Sequence, residues 1–152
     1  DSLKNLPGYS NLIVHNITPI VMERIYKGKD IIDMAEAGEL TYFFGKPAVD
    51  KEALFFKSTK INEDGKYSTL ASYLKNVELL LEPLVDSDFT KERVKEVVWP
   101  YAEEVGRGDI LWPMRYALSG LDKSPDPFVL SEIFGKDETL ARVQAAIQIL
   151  EK

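Results

Sequence analysis

Three side chains of one predicted helix could hold a planar, polar ligand. Trp112, Arg115 and Ser119 are spaced i, i+3 and i+7, so they share a face that the apolar stripe of the helix leaves uncovered. An arginine presents a planar fork of N–H donors and also stacks on flat rings such as nucleobases. Trp112 fits either the core or the flank of such a ligand. A solvated arginine on a helix without a binding function fits the same residue types, and both interpretations stay open at this point.

The loop after this helix adds backbone groups to the same candidate site. Ser124 and Asp126 each precede a proline, which biases both residues toward extended conformations. Extended backbone leaves N–H and C=O groups available to bind the edge of a base. Asp126 is suited to cap the following helix and Pro127 to occupy its first position, so the point where the loop meets that helix would be fixed.

The elements that must position these residues are predicted to be helices. Leu70, Leu74, Val77 and Leu81 fall at i, i+4, i+7 and i+11, the pattern of an amphipathic helix, which Pro83 would end. Alternation with a period of two residues, which would indicate strands, is nearly absent.

Capping and breaking residues mark the other helices. Thr90 is suited to cap a helix that Pro100 should kink or split, because proline removes an i→i−4 hydrogen bond. Gly120 would stop the helix that carries Arg115, and Gly135 would separate the last two helices. We therefore predict an all-α fold of two small helical bundles in tandem, with residues 1–86 in the first and 87–152 in the second.

Composition narrows the classes of function. Of the 152 residues, 45% are hydrophobic, enough for a sizeable core, and no apolar run reaches the ~20 residues that a membrane span needs. The net charge of −6 argues against non-specific coating of nucleic acid, which depends on many phosphate contacts. The chain has no cysteine and one histidine, so disulfides, thiolate metal sites and imidazole zinc sites are excluded. A reducing, cytoplasmic compartment is expected.

Catalytic patterns are absent from the sequence. His15 stands without a partner motif, and the adjacent carboxylates Glu103-Glu104 and Asp137-Glu138 cannot face each other on a helix. The opening residues DSLKNLPG have neither an initiator methionine nor the charged and apolar regions of a signal peptide, so they are expected to come from inside a longer chain. We expect no catalytic residue and no metal site.

The stretch WPMRYALSGLDKSPDPF, followed by the Gly-Lys step of IFGKDETLARVQAAIQIL, resembles the C-terminal end of bacterial-type glutamyl-tRNA synthetases. That family has a PLR-x-A-x-(T/S)-G helix, a (T/S)-P loop, a helix with an aromatic residue, then G-K and a terminal helix. Upstream, MERIYKGKDIIDMAEAGELTYFF is similar to the ER-x-K-T-L-x-E-x-A segment of the family. The resemblance covers nearly the whole chain, most strongly from about Gly108 onward. Segments similar to the ATP-binding HIGH and KMSKS motifs are absent.

The resemblance implies roles for particular residues. Arg115 stands at the PLR arginine, which contacts anticodon bases in the family, and Ser124 and Pro125 stand at the (T/S)-P pair, which packs against the anticodon. Pro127 replaces a leucine of the family pattern, so an apolar contact stays possible while a hydrogen bond from its backbone N–H is lost. Arg24 stands at the arginine that senses the first anticodon base, although Ile25-Tyr26-Lys27-Gly28 departs from the usual K-T-L. Trp112 joins these RNA-binding candidates because it shares a face with Arg115.

The function implied is that of an anticodon-binding domain of a glutamate–tRNA ligase. Its expected partners are the anticodon loop of tRNA(Glu) and the protein's own catalytic domain, with no membrane, and the protein is expected to be a monomer. No cofactor is expected in this fragment, whereas the full-length enzyme would need ATP and magnesium. Whether the parent enzyme also charges tRNA(Gln) stays open. The alternative is a non-catalytic helical protein–protein interaction module that uses the same Trp112 and Arg115 face.

Overall fold

The computed structural model describes residues 45, 47–55, 61 and 64–152, and the regular secondary structure of these residues is entirely helical. Its α-helices are α1 (Lys66–Leu81), α2 (Lys91–Val105), α3 (Arg107–Ser119) and α4 (Pro127–Glu151). Two 3-10 turns, Glu52–Leu54 and Asp86–Asp88, precede α1 and α2. These residues contain no strand, and the predicted all-α class is confirmed. The part of the predicted first bundle that precedes Gly45 lies outside the described residues.

Helix α1 follows its predicted pattern. Leu70, Leu74, Val77 and Leu81 are all at most 1% exposed, so one face of the helix lies in the core. The helix ends at Leu81, two residues before Pro83, as the sequence predicts.

Helix α2 begins as predicted but is not split by its proline. The Oγ1 of Thr90 accepts a hydrogen bond from the backbone N–H of Arg93 at 3.2 Å, which confirms the cap. The helix continues through Pro100, an exposed residue, to Val105. Val98 and Ala102, on either side of the proline, are fully buried. Their packing holds the backbone helical where local preference alone would break it.

Helix α4 consists of two helical pieces that meet at Gly135. The backbone of Gly135 has φ 79° and ψ 173°, far from helical values, which confirms the predicted break. Pro127 lies at the first position of the first piece, and Asp126 caps it.

Two groups of buried side chains form the core, and α1 contributes to both. One group packs the C-terminal half of α1 against α2, α3 and the first piece of α4. The other packs Leu70 and Leu74 of α1 against Tyr116 of α3 and against Val143 and Ile147 of α4. The division predicted between residues 86 and 87 stays a prediction, because most of the segment before it lies outside the described residues.

Across the part of the chain that the structure describes, no helix combines the length and apolar character that crossing a membrane requires.

Candidate nucleic-acid interface

Helix α3 separates a buried face from an open one. Ile110, Met114, Ala117 and Leu118 are fully buried, as their spacing predicts. The opposite side carries Arg107, Leu111, Trp112 and Arg115, which line a groove together with Gly108 of α3 and with Asp126 and Pro127 at the start of α4. We call this the Arg115 groove. It encloses about 320 Å³, at the small end of the ~300–1,000 Å³ typical of ligand pockets.

Arg115 is held in place by two contacts. Its guanidinium carbon lies 5.0 Å from the centre of the Trp112 ring, and its Nη2 donates a hydrogen bond to the backbone oxygen of Asp122 at 2.9 Å. The side chain is therefore not a freely solvated arginine. Its plane is fixed between the helix and the loop, which lowers the entropy lost when it binds a ligand.

Trp112 is half-buried, with part of its side chain packed against the fold and part lining the Arg115 groove. Its Nε1 donates a hydrogen bond to the backbone oxygen of Ala53 at 2.8 Å, which ties α3 to the Glu52–Leu54 turn. Its ring is nearly parallel to that of Tyr116, with centroids 6.3 Å apart and an interplanar angle of 8°. The remaining surface of the indole lines the Arg115 groove.

Ser119 does not belong to the open face, contrary to the expectation from its spacing. It is 2% exposed, because its hydroxyl bonds to the turn that follows α3. The Ser119 Oγ accepts a hydrogen bond from the backbone N–H of Leu121 at 3.1 Å and lies 3.2 Å from the Leu121 oxygen. Helix position alone could not reveal that the chain reverses onto this side chain.

The loop that leads into α4 is anchored as predicted at its end. Asp126 Oδ1 accepts hydrogen bonds at 2.9 Å from the backbone N–H groups of both Phe128 and Val129, which confirms the cap. Pro127, although buried overall, contributes to the wall of the Arg115 groove.

Ser124 and Pro125 are buried in this loop and do not line the groove. Ser124 is 8% exposed, and its hydroxyl donates a hydrogen bond to the backbone oxygen of Pro125 at 3.1 Å. Their RNA-binding role stays a prediction. Arg24 lies outside the described residues, so its proposed role as the sensor of the first base also stays a prediction.

The charge that lines the Arg115 groove is positive in an acidic chain. Arg107 and Arg115 face Asp126, which gives 2 − 1 = +1, whereas the whole chain carries −6. One oxygen of Asp126 already accepts the two capping N–H bonds, which disperses its negative charge. Arg107 lies 4.8 Å from the Trp99 ring centre and pairs with Glu103 at 3.0 Å. The groove can therefore take a flat, polar or anionic group.

One buried arginine was missed by the sequence reasoning. Arg142 is 5% exposed and donates hydrogen bonds to Leu118 O at 2.6 Å, Gly45 O at 2.9 Å and Glu138 Oε1 at 2.8 Å. Burial lowers the pKa of its guanidinium, and Glu138 acts in the opposite direction. The sequence did contain a signal that Arg142 lies on the buried face of its helix. Arg142 stands four residues before the apolar Ala146 and four residues after Glu138, its ion-pair partner.

Comparison with known proteins identifies the family. The family model described as "Anticodon binding domain" matches residues 4–147. A glutamate–tRNA ligase of Clostridium acetobutylicum is 28% identical over 145 residues, which cover 93% of this chain and 28% of that protein. The corresponding enzyme of Flavobacterium johnsoniae is 30% identical over 141 residues, 91% of this chain and 25% of the relative. That of Clostridium kluyveri is 29% identical over 150 residues, 96% of this chain and 29% of the relative.

The chain thus spans between a quarter and a third of the length of these relatives. The match extends over nearly all of the chain, which confirms the resemblance drawn from the WPMRYALSG stretch. It also favours anticodon binding over the alternative of a protein–protein interaction module. This chain belongs to the family of anticodon-binding domains, and it is similar to those of the glutamate–tRNA ligases.

Proposed function

We propose that the Arg115 groove holds an unstacked base of the tRNA(Glu) anticodon. The domain would act on behalf of a catalytic domain, elsewhere in the full-length protein, that joins glutamate to tRNA at the expense of ATP. The observation that carries the proposal is the fixed guanidinium of Arg115 over the Trp112 ring, beside Pro127. Anticodon bases lie in a loop and can be unstacked, which is where proteins read RNA sequence.

The chemistry of the groove suits a base better than a phosphate chain. A nucleobase needs a flat apolar contact and a few donors directed at its edge. Leu111, Trp112 and Pro127 supply apolar surface, while the Arg115 fork supplies donors in a fixed plane. The single net positive charge would do little for non-specific binding, which scales with the number of phosphates neutralised.

Several finer statements belong to the same proposal. Arg24 would sense the first anticodon base, and Ser124 and Pro125 would contact the anticodon through the loop that they build. ATP and magnesium would bind the catalytic domain and not this chain. The protein would work in the cytoplasm as a monomer. Of these statements, the similarity to glutamate–tRNA ligases supports the presence of a catalytic domain elsewhere in the full-length protein.

Binding of a fluorescently labelled anticodon stem-loop tests the proposal. We expect the protein to prefer a UUC loop over a scrambled loop of the same length. Arg115→Ala should weaken UUC binding by roughly 5- to 150-fold, the equivalent of the ~1–3 kcal/mol that one good base contact contributes. Arg115→Lys should also lose the preference, because an ammonium keeps the charge without the planar fork.

Arg93→Ala is the matched control for this experiment. Arg93 lies on α2, pairs with Asp88 and Glu96 at 3.1 and 2.7 Å, and does not line the groove. Its removal should leave the preference for UUC unchanged. Equal affinity of the unaltered protein for both loops, with the domain folded, would refute anticodon reading by this groove.

The role of Arg24 has a separate test. Arg24→Gln should relax discrimination between stem-loops whose anticodons begin with U and with C. The same affinity ratio before and after the change would assign the first base to another residue.

A further inference from the structure

A second groove, larger and more basic, lies where the start of α1 meets the end of α4. It encloses about 620 Å³. Its charged and aromatic lining consists of Lys51, Lys66, Tyr67, Lys75, Glu151 and Lys152. We call it the lysine groove.

The charge of the lysine groove is opposite to that of the chain. Four lysines against Glu151 give 4 − 1 = +3 in one concave surface, although acidic residues exceed basic ones by 25 to 19 overall. Concave surfaces of one sign concentrate their potential toward the ligand. An anion is therefore the expected occupant.

Three of the lysines contact a carboxylate or an aromatic ring at the surface of the groove. Lys66 Nζ lies 3.3 Å from Glu52 Oε2, and Lys75 pairs with Glu151. Lys51 Nζ lies 4.0 Å from the centre of the Tyr67 ring. Ion pairs at the surface contribute little to stability and are easily exchanged for another anion. With Glu52 included, the charge around the groove is 4 − 2 = +2, so these contacts do not neutralise it.

The donor type indicates phosphates and not base edges. Ammonium groups act as compact point charges, whereas the planar fork that reads a base edge belongs to arginine. No arginine lines the lysine groove. Contacts of this kind position a nucleic acid without reading its sequence.

The backbone links the two grooves. Ala53, whose carbonyl accepts the Trp112 Nε1 hydrogen bond at 2.8 Å, stands two residues after Lys51. Since consecutive Cα atoms are about 3.8 Å apart, these two residues are within roughly 8 Å of each other. Trp112 of the Arg115 groove is thereby tied to the short segment that carries Lys51 of the lysine groove.

We infer that the lysine groove binds phosphates of the same RNA whose base enters the Arg115 groove. This inference rests on the proposed function. The Arg115 groove would then determine the sequence preference, and the lysine groove would add affinity for phosphates that does not depend on sequence. Non-specific affinity would then come from one edge of an otherwise acidic protein.

The salt dependence of RNA binding tests the inference. Affinities for the UUC and scrambled stem-loops are measured between 50 and 200 mM salt for the unaltered protein and for Lys51→Gln/Lys75→Gln. Each phosphate contact contributes about 0.7–0.9 to the slope of log affinity against log salt. The double variant should therefore flatten the slope by about 1.4–1.8 for both RNAs and leave the ratio between them unchanged.

Two further variants make the result specific. Lys91→Gln/Lys136→Gln removes the same charge from residues that line neither groove, and its slope should match that of the unaltered protein. Lys51→Gln/Lys152→Gln keeps the Lys75–Glu151 pair and should still flatten the slope, which separates charge from any effect on folding. An unchanged slope in both groove variants, or an equal change in the control, would overturn the inference.

The outcomes separate this inference from the proposed function. If the unaltered protein binds UUC and scrambled loops alike and the groove variants flatten both slopes, anticodon reading fails, and of the inference only phosphate binding by the lysine groove stands. If the UUC preference is present and the slopes do not change, the lysine groove fails and anticodon reading stands. Failure of the unaltered protein to bind either RNA would overturn both.

Discussion

Arg115 and Arg142 use the same chemistry for opposite purposes. Each guanidinium lies over an aromatic ring and bonds to backbone oxygen, Arg115 over Trp112 at 5.0 Å and Arg142 over Phe134 at 3.9 Å. Arg115 stands at the edge of an open groove, whereas Arg142 is 5% exposed. Arg115 can direct donors at a ligand, whereas Arg142 donates its hydrogen bonds to groups of the protein itself.

Arg142 should be required for stability. Its Nη1 bonds to Leu118 O, one of the last carbonyls of α3, which lack partners within the helix. The guanidinium also donates to the backbone oxygen of Gly45. Arg142→Lys would leave at least one of these two carbonyl oxygens without a donor, so we expect the free energy of unfolding to fall by about 2–4 kcal/mol. Urea unfolding measures the loss.

The control for Arg142 is an exposed arginine. Arg93→Lys, which alters only surface ion pairs, should change the free energy of unfolding by less than about 1 kcal/mol. Equal small effects of the two substitutions would show that the buried guanidinium contributes no more than a surface pair.

At the scale of the elements, the break in α4 decides where its two ends point. Gly135 has φ 79° and ψ 173°, a conformation that is nearly restricted to glycine. The piece before it carries Pro127 to the Arg115 groove, and the piece after it carries Leu150 to the lysine groove. The backbone angles of Gly135 therefore set the relative direction of the two pieces of α4, the longest helical segment among those described.

Gly135→Ala should destabilise the protein for conformational reasons alone. A Cβ built there meets nothing within 4 Å, so the cost is the strained backbone, about 1–3 kcal/mol. Gly120→Ala offers a comparison, because its φ is 71° and its Cβ would also lie 2.8 Å from Pro47 Cβ. We expect the larger loss at Gly120, measured by thermal unfolding of both variants. Unchanged stability of Gly135→Ala would mean that the helix can straighten through this position.

The elements were predictable where local chemistry decides them. The spacing from Leu70 to Leu81, the caps at Thr90 and Asp126 and the break at Gly135 all appear in the structure. Tertiary contacts decide the outcome at Pro100, where a kink or a split was expected. The split does not occur, since Val98 and Ala102 are buried on both sides.

The candidate site was predictable only in part, for the same reason. Trp112, Arg115 and Pro127 do meet in one groove. Ser119 turned inward, because the chain folds back onto its hydroxyl. The lysine groove had no sequence signal, since Lys51, Lys66 and Lys152 come from separate segments that only the fold brings together.

At the scale of the whole molecule, α1 lies before the boundary predicted between residues 86 and 87 but packs against helices that follow it. Leu74 of α1 and Ile147 of α4 belong to one core group. Side chains that share a core are expected to lose their packing together, so the described helices should unfold in a single transition. Leu74→Ala and Ile147→Ala should each lower the free energy of unfolding by about 2–5 kcal/mol.

Unfolding followed by circular dichroism and by tryptophan fluorescence checks this expectation. The midpoint of unfolding should shift by the same amount in both signals for each variant. A variant that shifts one transition and leaves a second in place would instead support two independently folding bundles divided near residue 86.

The hydrogen bond between Trp112 and Ala53 gives the domain a built-in optical reporter. The chain has two tryptophans, and Trp112 alone of the two lines the Arg115 groove. In a Trp99→Phe background, all indole emission would come from the site itself. A base that stacks on Trp112 should quench this emission, whereas detachment of the Glu52–Leu54 turn should shift its wavelength toward that of an indole in water. Occupancy of the groove and loosening of its wall could thus be followed separately, in unlabelled protein and in real time.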